Sequence, residues 1–256
     1  QKYSPLRDAN RRLTHQFLVV SNISPADPSR VIEGNERVVR PRLADARFFF
    51  DQDRKKTLAE RIPGLDKVVY HGKLGSLGER VQRVQRIAQA VGDRLGGPAL
   101  AAQADQAASL AKADLLTDMV AEFPELQGIM GGYYARNDGL GEDIACAIDD
   151  HYNPRFAGDA LPRNAVGLVV ALADKLEILV GLFGIGQLPT GDKDPFALRR
   201  HALGVIRMLV ERELALPLPE LISIAEQAFS ACAGWTSAAP ELERFFHDRL
   251  AVSLKD

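Results

Sequence analysis

The sequence has 256 residues, 46% hydrophobic and 26% charged, with a formal net charge of −2. That is apolar material for one or two buried cores, and it excludes recognition of a polynucleotide by bulk charge, leaving only local basic patches for that purpose. The two cysteines, Cys146 and Cys232, have no CxxC spacing; this argues against a disulfide framework or a cysteine zinc site and fits a reducing cytosol.

The chain opens on Gln1-Lys2-Tyr3, without an initiator methionine or a signal peptide, as expected of a piece cut from a longer chain. The branched run Gln16 to Ile23 predicts a strand, and Asp8-Ala9-Asn10 suits a turn, so a hairpin is expected over Lys2 to Val20. A helix is predicted from about Asn35 to Lys56, with Val39, Leu43, Ala46 and Phe50 on one face and a kink or restart at Pro41. Ser76 and Glu79 have capping-box spacing; Leu77, Val81, Val84, Ala88 and Val91 then line one face of a helix that Gly96-Gly97-Pro98 should end.

Alanine-rich Leu100 to Phe123 is expected to continue as helix until Pro124 interrupts it. A turn at Gly139 to Gly141, a helix over Glu142 to Tyr152 and a loop over Asn153 to Arg163 follow. The most apolar stretch, Val166 to Ile185, carries Asp174, Lys175 and Glu177 at its centre. Three charges there predict a buried helix starting near Asn164, not a membrane span. After a loop from Gly186, Asp194-Pro195 reads as a cap with proline at the first helical position, and Leu198, Ala202, Val205 and Leu209 form the apolar face. Leu218 to Ala233 and Pro240 to Val252 predict two further helices. The expected class is mainly α: a small α/β segment with its connecting helix over 1–56, then a helical domain over 57–256.

Several features have the residue types of a binding site. Arg80, Arg83 and Arg86 fall on adjacent helical turns, within reach of successive phosphates, or equally on a solvated face. Lys193, Arg199 and Arg200 surround a helix start that offers amide groups to a phosphate. The structural alternative has Asp194 capping that helix while Arg199 and Arg200 pair with carboxylates such as Asp174 or Glu177. Tyr133, Tyr134 and Tyr152 have rings that can stack on unpaired bases, although core packing is the commoner use of tyrosine. The glycines of Gly128-Ile129-Met130-Gly131-Gly132 and Gly184-Ile185-Gly186 follow no βαβ pattern; they suit close helix packing or a left-handed turn better than a nucleotide loop. Trp235 reads as a packing anchor, and no Ser-His-Asp or Cys-His arrangement is supported by spacing.

Long, ordered strings point further. They include Arg42-Leu43-Ala44-Asp45-Ala46-Arg47-Phe48-Phe49, Lys73-Leu74-Gly75-Ser76-Leu77, Glu122-Phe123-Pro124-Glu125-Leu126-Gln127-Gly128, Pro154-Arg155-Phe156-Ala157-Gly158-Asp159 and Pro189-Thr190-Gly191-Asp192-Lys193-Asp194-Pro195-Phe196. Spread from residue 1 to about 200 and fainter after Val210, they resemble the bacterial-type glycyl-tRNA synthetase β-subunit family. The chain departs from the family pattern at Pro41 and around Arg136 to Gly141.

The resemblance implies a cytoplasmic subunit that recognises tRNA(Gly) and works with a separate α-subunit, which carries the glycine and ATP chemistry. ATP is then used by the complete enzyme, with no cofactor in this fragment and no membrane partner. The fragment alone is expected to be inactive, with further parts of the family's chain before Gln1 and after Asp256. Lys73 and Arg155, in family-like loops, join Arg80, Arg83, Arg86, Lys193, Arg199 and Arg200 as tRNA-binding candidates. The helical part is implied to resemble the HD phosphohydrolase fold, whose adjacent His-Asp pair and later Asp hold catalytic metal. Here the doublet is Ala113-Asp114 and the closing carboxylate is Asp174, with His71 and His151 as further degenerate positions. The expectation is no metal and no phosphohydrolase activity; Asp174 is then held by a buried Arg, Lys or backbone donor. Two alternatives remain at this point: a metal-dependent phosphohydrolase, and a purely structural module that docks subunits.

Overall fold

The computed structural model describes residues 3–253, without the side chain of Ser253. Lys2, where the expected hairpin starts, and Asp256, where the expected helical domain ends, lie outside the described residues. The chain divides into two compact units, Gln1–Phe48 and Phe49–Asp256.

In the first unit, β1 (Tyr3–Arg7) and β2 (Leu13–Val19) pair antiparallel, with Tyr3 opposite Val19 and Arg7 opposite Leu13. The turn at Asp8 is closed by its own carboxylate, which accepts from the amides of Asn10 and Arg12 at 2.9 Å each. The second strand stops at Val19, short of the predicted Ile23. Helix α1 runs over Ser29–Asp53 without a break. It starts earlier than predicted because the Asp27 carboxylate takes the Ser29 amide at 3.0 Å. It also passes through Pro41: that residue and Arg37, whose carbonyl proline leaves without a donor, are both exposed, so the carbonyl is open to solvent.

The second unit is helical. Thr57 and Glu60 form a capping box at the start of the short helix α2 (Leu58–Arg61). A two-stranded hairpin, β3 (Val69–His71) with β4 (Gly75–Ser76), leads into α3 (Leu77–Leu110). The expected box of Ser76 and Glu79 is present at the start of α3, and the backbone turns out of helical geometry at Gly97 (φ 74°), where the glycine-proline pair predicted an end. A single helix over Leu100 to Phe123 does not form. The chain instead makes a 3-10 turn over Ala113–Leu116, then α4 (Asp118–Glu122), which Thr117 caps. Pro124 ends α4 as expected.

Helices α5 (Ile129–Asn137) and α6 (Glu142–Asp150) follow, then the long loop and α7 (Ala165–Gly184), capped by Asn164. Helix α7 is the centre of the core: nearly all its side chains are buried, and it packs against α3, α6, α8 (Leu198–Glu211) and α9 (Leu218–Gln227). Helix α10 (Ala239–Ser253) packs on α7, α8 and α9. Gly184 leaves room for the Trp235 indole, whose Nε1–H donates to the Val180 carbonyl at 3.0 Å while the ring stacks on Phe229. Among the described residues no helix is long and apolar enough to cross a membrane.

Candidate functional site

The three charges at the middle of α7 find their partners mainly on α3. Asp174 and Glu177 are one helical turn apart, and so are Arg80 and Arg83, so the facing rows meet as a ladder. Arg80 donates through Nη2 to Asp174 Oδ1 and through Nε to Glu177 Oε2, both at 2.9 Å. Arg83 donates through Nε to Glu177 Oε1 at 2.9 Å. Both guanidinium groups also lie over aromatic rings, Arg80 over Tyr70 at 4.7 Å and Arg83 over Phe229 at 4.8 Å. Burial by itself raises the Asp174 carboxyl, but Arg80 and then Lys112 hold it well below the usual carboxylate range.

Lys112 extends the ladder. Its ammonium lies 3.1 Å from Asp174 Oδ1, 2.8 Å from His151 Nε2 and 3.9 Å from the centre of the Tyr152 ring. Burial, with the repulsion of Lys112 added, holds His151 well below 6.5. The imidazole is therefore neutral. Its Nδ1 faces the Ile148 carbonyl at 2.6 Å, so Nδ1 carries the hydrogen and Nε2 is left to accept from the lysine. Burial also lowers Lys112 to about 8, which leaves it charged at neutral pH.

Asp114 faces elsewhere. Its Oδ2 accepts from the amides of Gly128 at 2.6 Å and Gly131 at 3.0 Å. Gly128 adopts φ 82°, and a Cβ on Gly131 would crowd Ile148 and the Asp114 carboxylate, so these glycines form a cradle for a carboxylate. His71 lies on β3, where its Nδ1 accepts from the Lys73 amide and its ring meets Phe196 edge-on. Among the described residues no three His, Cys, Asp or Glu side chains converge to hold a metal ion. The residues present do not fit the metal of an HD hydrolase: an ammonium stands between His151 and Asp174, and Asp114 turns Oδ2 to two backbone amides while, among the described residues, its buried Oδ1 meets no second ligand.

The tRNA-binding candidates separate by exposure. Arg80 and Arg83 are buried, 8% and 6% exposed, and are engaged by the ladder; of the predicted arginine stripe Arg86 alone is exposed. The cause is the pair of carboxylates on α7, which draws the first two arginines inward. The guanidinium groups that meet Asp174 and Glu177 thus come from α3 and not from Arg199 and Arg200. Arg86 and Lys73 line one open cleft between α3 and the end of α9, with Gln82, Arg83 and Cys232.

Asp194 does cap α8, its carboxylate taking the amides of Leu198 at 2.8 Å and Arg199 at 2.9 Å. The helix starts at Leu198, after a left-handed Ala197, and not at Pro195. Arg199 and Arg200 border a second cleft with Phe156 and Arg249, while Lys193 is exposed in the loop before it. Arg155 lies 5.7 Å from the Tyr152 ring centre. Of the tyrosines, Tyr134 is buried and donates to Asp53 at 2.8 Å, Tyr152 packs under Lys112, and Tyr133 is exposed. Sequence reasoning missed Lys112 and Phe156; adjacency to Ala113-Asp114 was the available signal for the first, and a large apolar residue inside a Pro-Arg-Phe-Ala-Gly-Asp loop for the second.

These contacts define a mainly helical protein whose central carboxylates are held in a buried ionic ladder, with Lys73, Arg86, Lys193 and Arg200 exposed on the surface. The chain belongs to the glycyl-tRNA synthetase beta subunit family, whose model matches residues 1–256. It is 68% identical over 256 residues to the glycine–tRNA ligase beta subunit of Dechloromonas aromatica and 66% identical over 256 residues to that of Methylobacillus flagellatus, covering 100% of this chain and 36% of each relative. It is 73% identical over 229 residues to that of Thiobacillus denitrificans, covering 90% of this chain and 33% of that relative. The chain thus spans about a third of the length of the curated relatives it matches.

Proposed function

We propose that this chain is a tRNA-recognition part of the β-subunit of glycine–tRNA ligase, a cytoplasmic enzyme that joins glycine to tRNA(Gly) with ATP. A separate α-subunit carries the glycine and ATP chemistry. The helical region over 57–256 serves as an HD-like body without metal chemistry, and the α/β segment over 1–56 belongs to a neighbouring domain. The observation that carries this reading is the family match over every residue of the chain. The core contacts support it physically: Asp174 holds α3 to α7, His151 takes the Lys112 ammonium and Asp114 holds backbone amides, while Lys73, Arg86 and Arg200 are left for a polyanion.

The test is glycylation of tRNA(Gly) by the full-length chain with and without its α-subunit, alongside nucleotide hydrolysis by the chain alone in manganese or zinc. Charging that requires both subunits, with no metal-stimulated hydrolysis, is expected. Metal-dependent phosphate release by the chain alone, without any role in charging, would overturn the reading.

A further inference from the structure

The second cleft, of about 430 Å³, is large enough for one nucleotide, and among the described residues no carboxylate lines it. Phe156, 60% exposed, stands on one side. Its loop is tied down rather than loose: the Arg155 amide donates to Asp159 Oδ2 at 2.7 Å, Arg207 Nη1 to the Asp159 carbonyl at 2.9 Å, and Arg212 Nη2 to the Pro162 carbonyl at 2.9 Å. Arg199 and Arg200 come from the first turn of α8 and Arg249 from α10, two helices packed on each other. Among the described residues none of these three arginines has an ion-pair partner, whereas Arg61, Arg80, Arg83, Arg94, Arg136, Arg163 and Arg207 all do. The Arg249 Nε is in addition buried without any acceptor.

A single exposed phenylalanine is ordinary, and so is a surface arginine. An aromatic face on an anchored loop beside three guanidinium groups without a carboxylate partner is a different arrangement, even though Arg199 donates to the Gly191 carbonyl and Arg249 lies 6.0 Å from the centre of the Phe245 ring. Free phosphate would satisfy the arginines and leave the ring unused; a duplex would present phosphates but keep its bases stacked inside. An unpaired nucleotide uses both, its base on the ring and its phosphates on the arginines.

We propose that this cleft binds one unpaired nucleotide of an RNA strand, with the base stacked on Phe156 and the flanking phosphates held by Arg199, Arg200 and Arg249. The inference deepens the tRNA-recognition reading and rests on it. The test uses the complete enzyme, a fluorescent single-stranded oligoadenylate as probe, and a duplex RNA of equal phosphate count, inorganic phosphate and polyglutamate as competitors. Phe156→Ala is expected to weaken the single strand about tenfold, Phe156→Tyr to restore it, and duplex binding to stay unchanged. Arg200→Glu and Arg249→Glu should each weaken the single strand and flatten its salt dependence.

Unchanged oligoadenylate affinity in Phe156→Ala overturns the stacking subsite, even where the arginine variants weaken RNA. Equal displacement by polyglutamate or inorganic phosphate overturns it as well. Because tRNA(Gly) binding by the unaltered enzyme is measured in the same series, loss of the broader reading would show separately, as no RNA binding at all.

Discussion

Lys112 donates to His151 Nε2 across 2.8 Å, in a core where both side chains are buried. The lysine brings its own positive charge to the position between His151 and Asp174. A metal ion there would meet an ammonium before it met its ligands. The same contact explains how Asp174 stays ionised at the centre of an apolar helix: Arg80 and Lys112 both face its Oδ1.

Removing one side of the ladder should be far more damaging than its contact list suggests. Arg80→Met leaves Asp174 and Glu177 each short of a donor, and breaking a buried pair in this way costs about 3–5 kcal/mol. Lys112→Met is expected to cost less, about 1–2 kcal/mol, since Asp174 keeps Arg80 and a desolvated ammonium is removed. Urea unfolding of the full-length chain checks both, and Lys112→Met as the more damaging change would refute the ranking.

Asp114 is assigned a structural role, and conservative exchange separates that from catalysis. Asp114→Asn retains an oxygen for the Gly128 and Gly131 amides and should leave glycylation within about twofold of the unaltered enzyme. Asp114→Ala orphans both amides and should lose about 1–3 kcal/mol of stability. Gly131→Ala should destabilise by a similar amount, because its Cβ would press on Ile148 and the carboxylate. Thermal unfolding and charging rates of the three variants provide the check.

Acid sensitivity should come from the buried histidines. Burial, assisted by Lys112, holds His151 well below 6.5, and burial, assisted by Lys175, lowers His201 to about 4. In the unfolded chain both take up protons near pH 6.5, so below that pH the unfolded form binds more protons than the folded form. Their contribution is complete above pH 6.5 and is lost as pH falls below it, for His201 down to about 4, at up to about 1.4 kcal/mol per pH unit for each group. Unfolding midpoints between pH 7.5 and 5 should therefore drop, and His201→Gln should make the drop shallower. A slope unchanged by that substitution would remove His201 from the account.

Divalent metal should not stabilise the chain. Manganese or zinc at concentrations that saturate an ordinary hydrolase site is expected to leave the thermal midpoint unchanged, and chelators should leave it unchanged too. A metal-dependent rise in the midpoint that Asp174→Asn abolished would restore the phosphohydrolase alternative.

What the sequence disclosed and what it withheld have the same physical origin. The start of α3 is written locally, in Ser76 and Glu79, and so is the start of α7, in Asn164. The buried position of α7 follows from its composition, and its central charges were rightly expected to need partners. The partners themselves were not legible: Arg80 meets Asp174 and Glu177 across 94 and 97 residues of chain, and nothing local tells which face of α3 will turn inward. A three-residue stripe of arginine looks alike whether it meets phosphate or carboxylate. Local chemistry also misled at the start of α8, where Asp194 reaches forward to amides four and five residues on and Pro195 is passed over. The Phe156 cleft needed the tertiary structure altogether, because it joins a loop after α6 to α8 and α10.

The central claim is that the basic groups outside the ladder meet RNA phosphates. Its most direct test is the slope of log Kd against log salt for tRNA(Gly) binding to the complete enzyme, compared with a variant carrying Lys73→Glu, Arg86→Glu, Arg200→Glu and Arg249→Glu. The account predicts weaker binding and a slope shallower by roughly 2–4. An unchanged affinity and an unchanged slope, in a variant that still folds and still assembles with the proposed α-subunit, would contradict it.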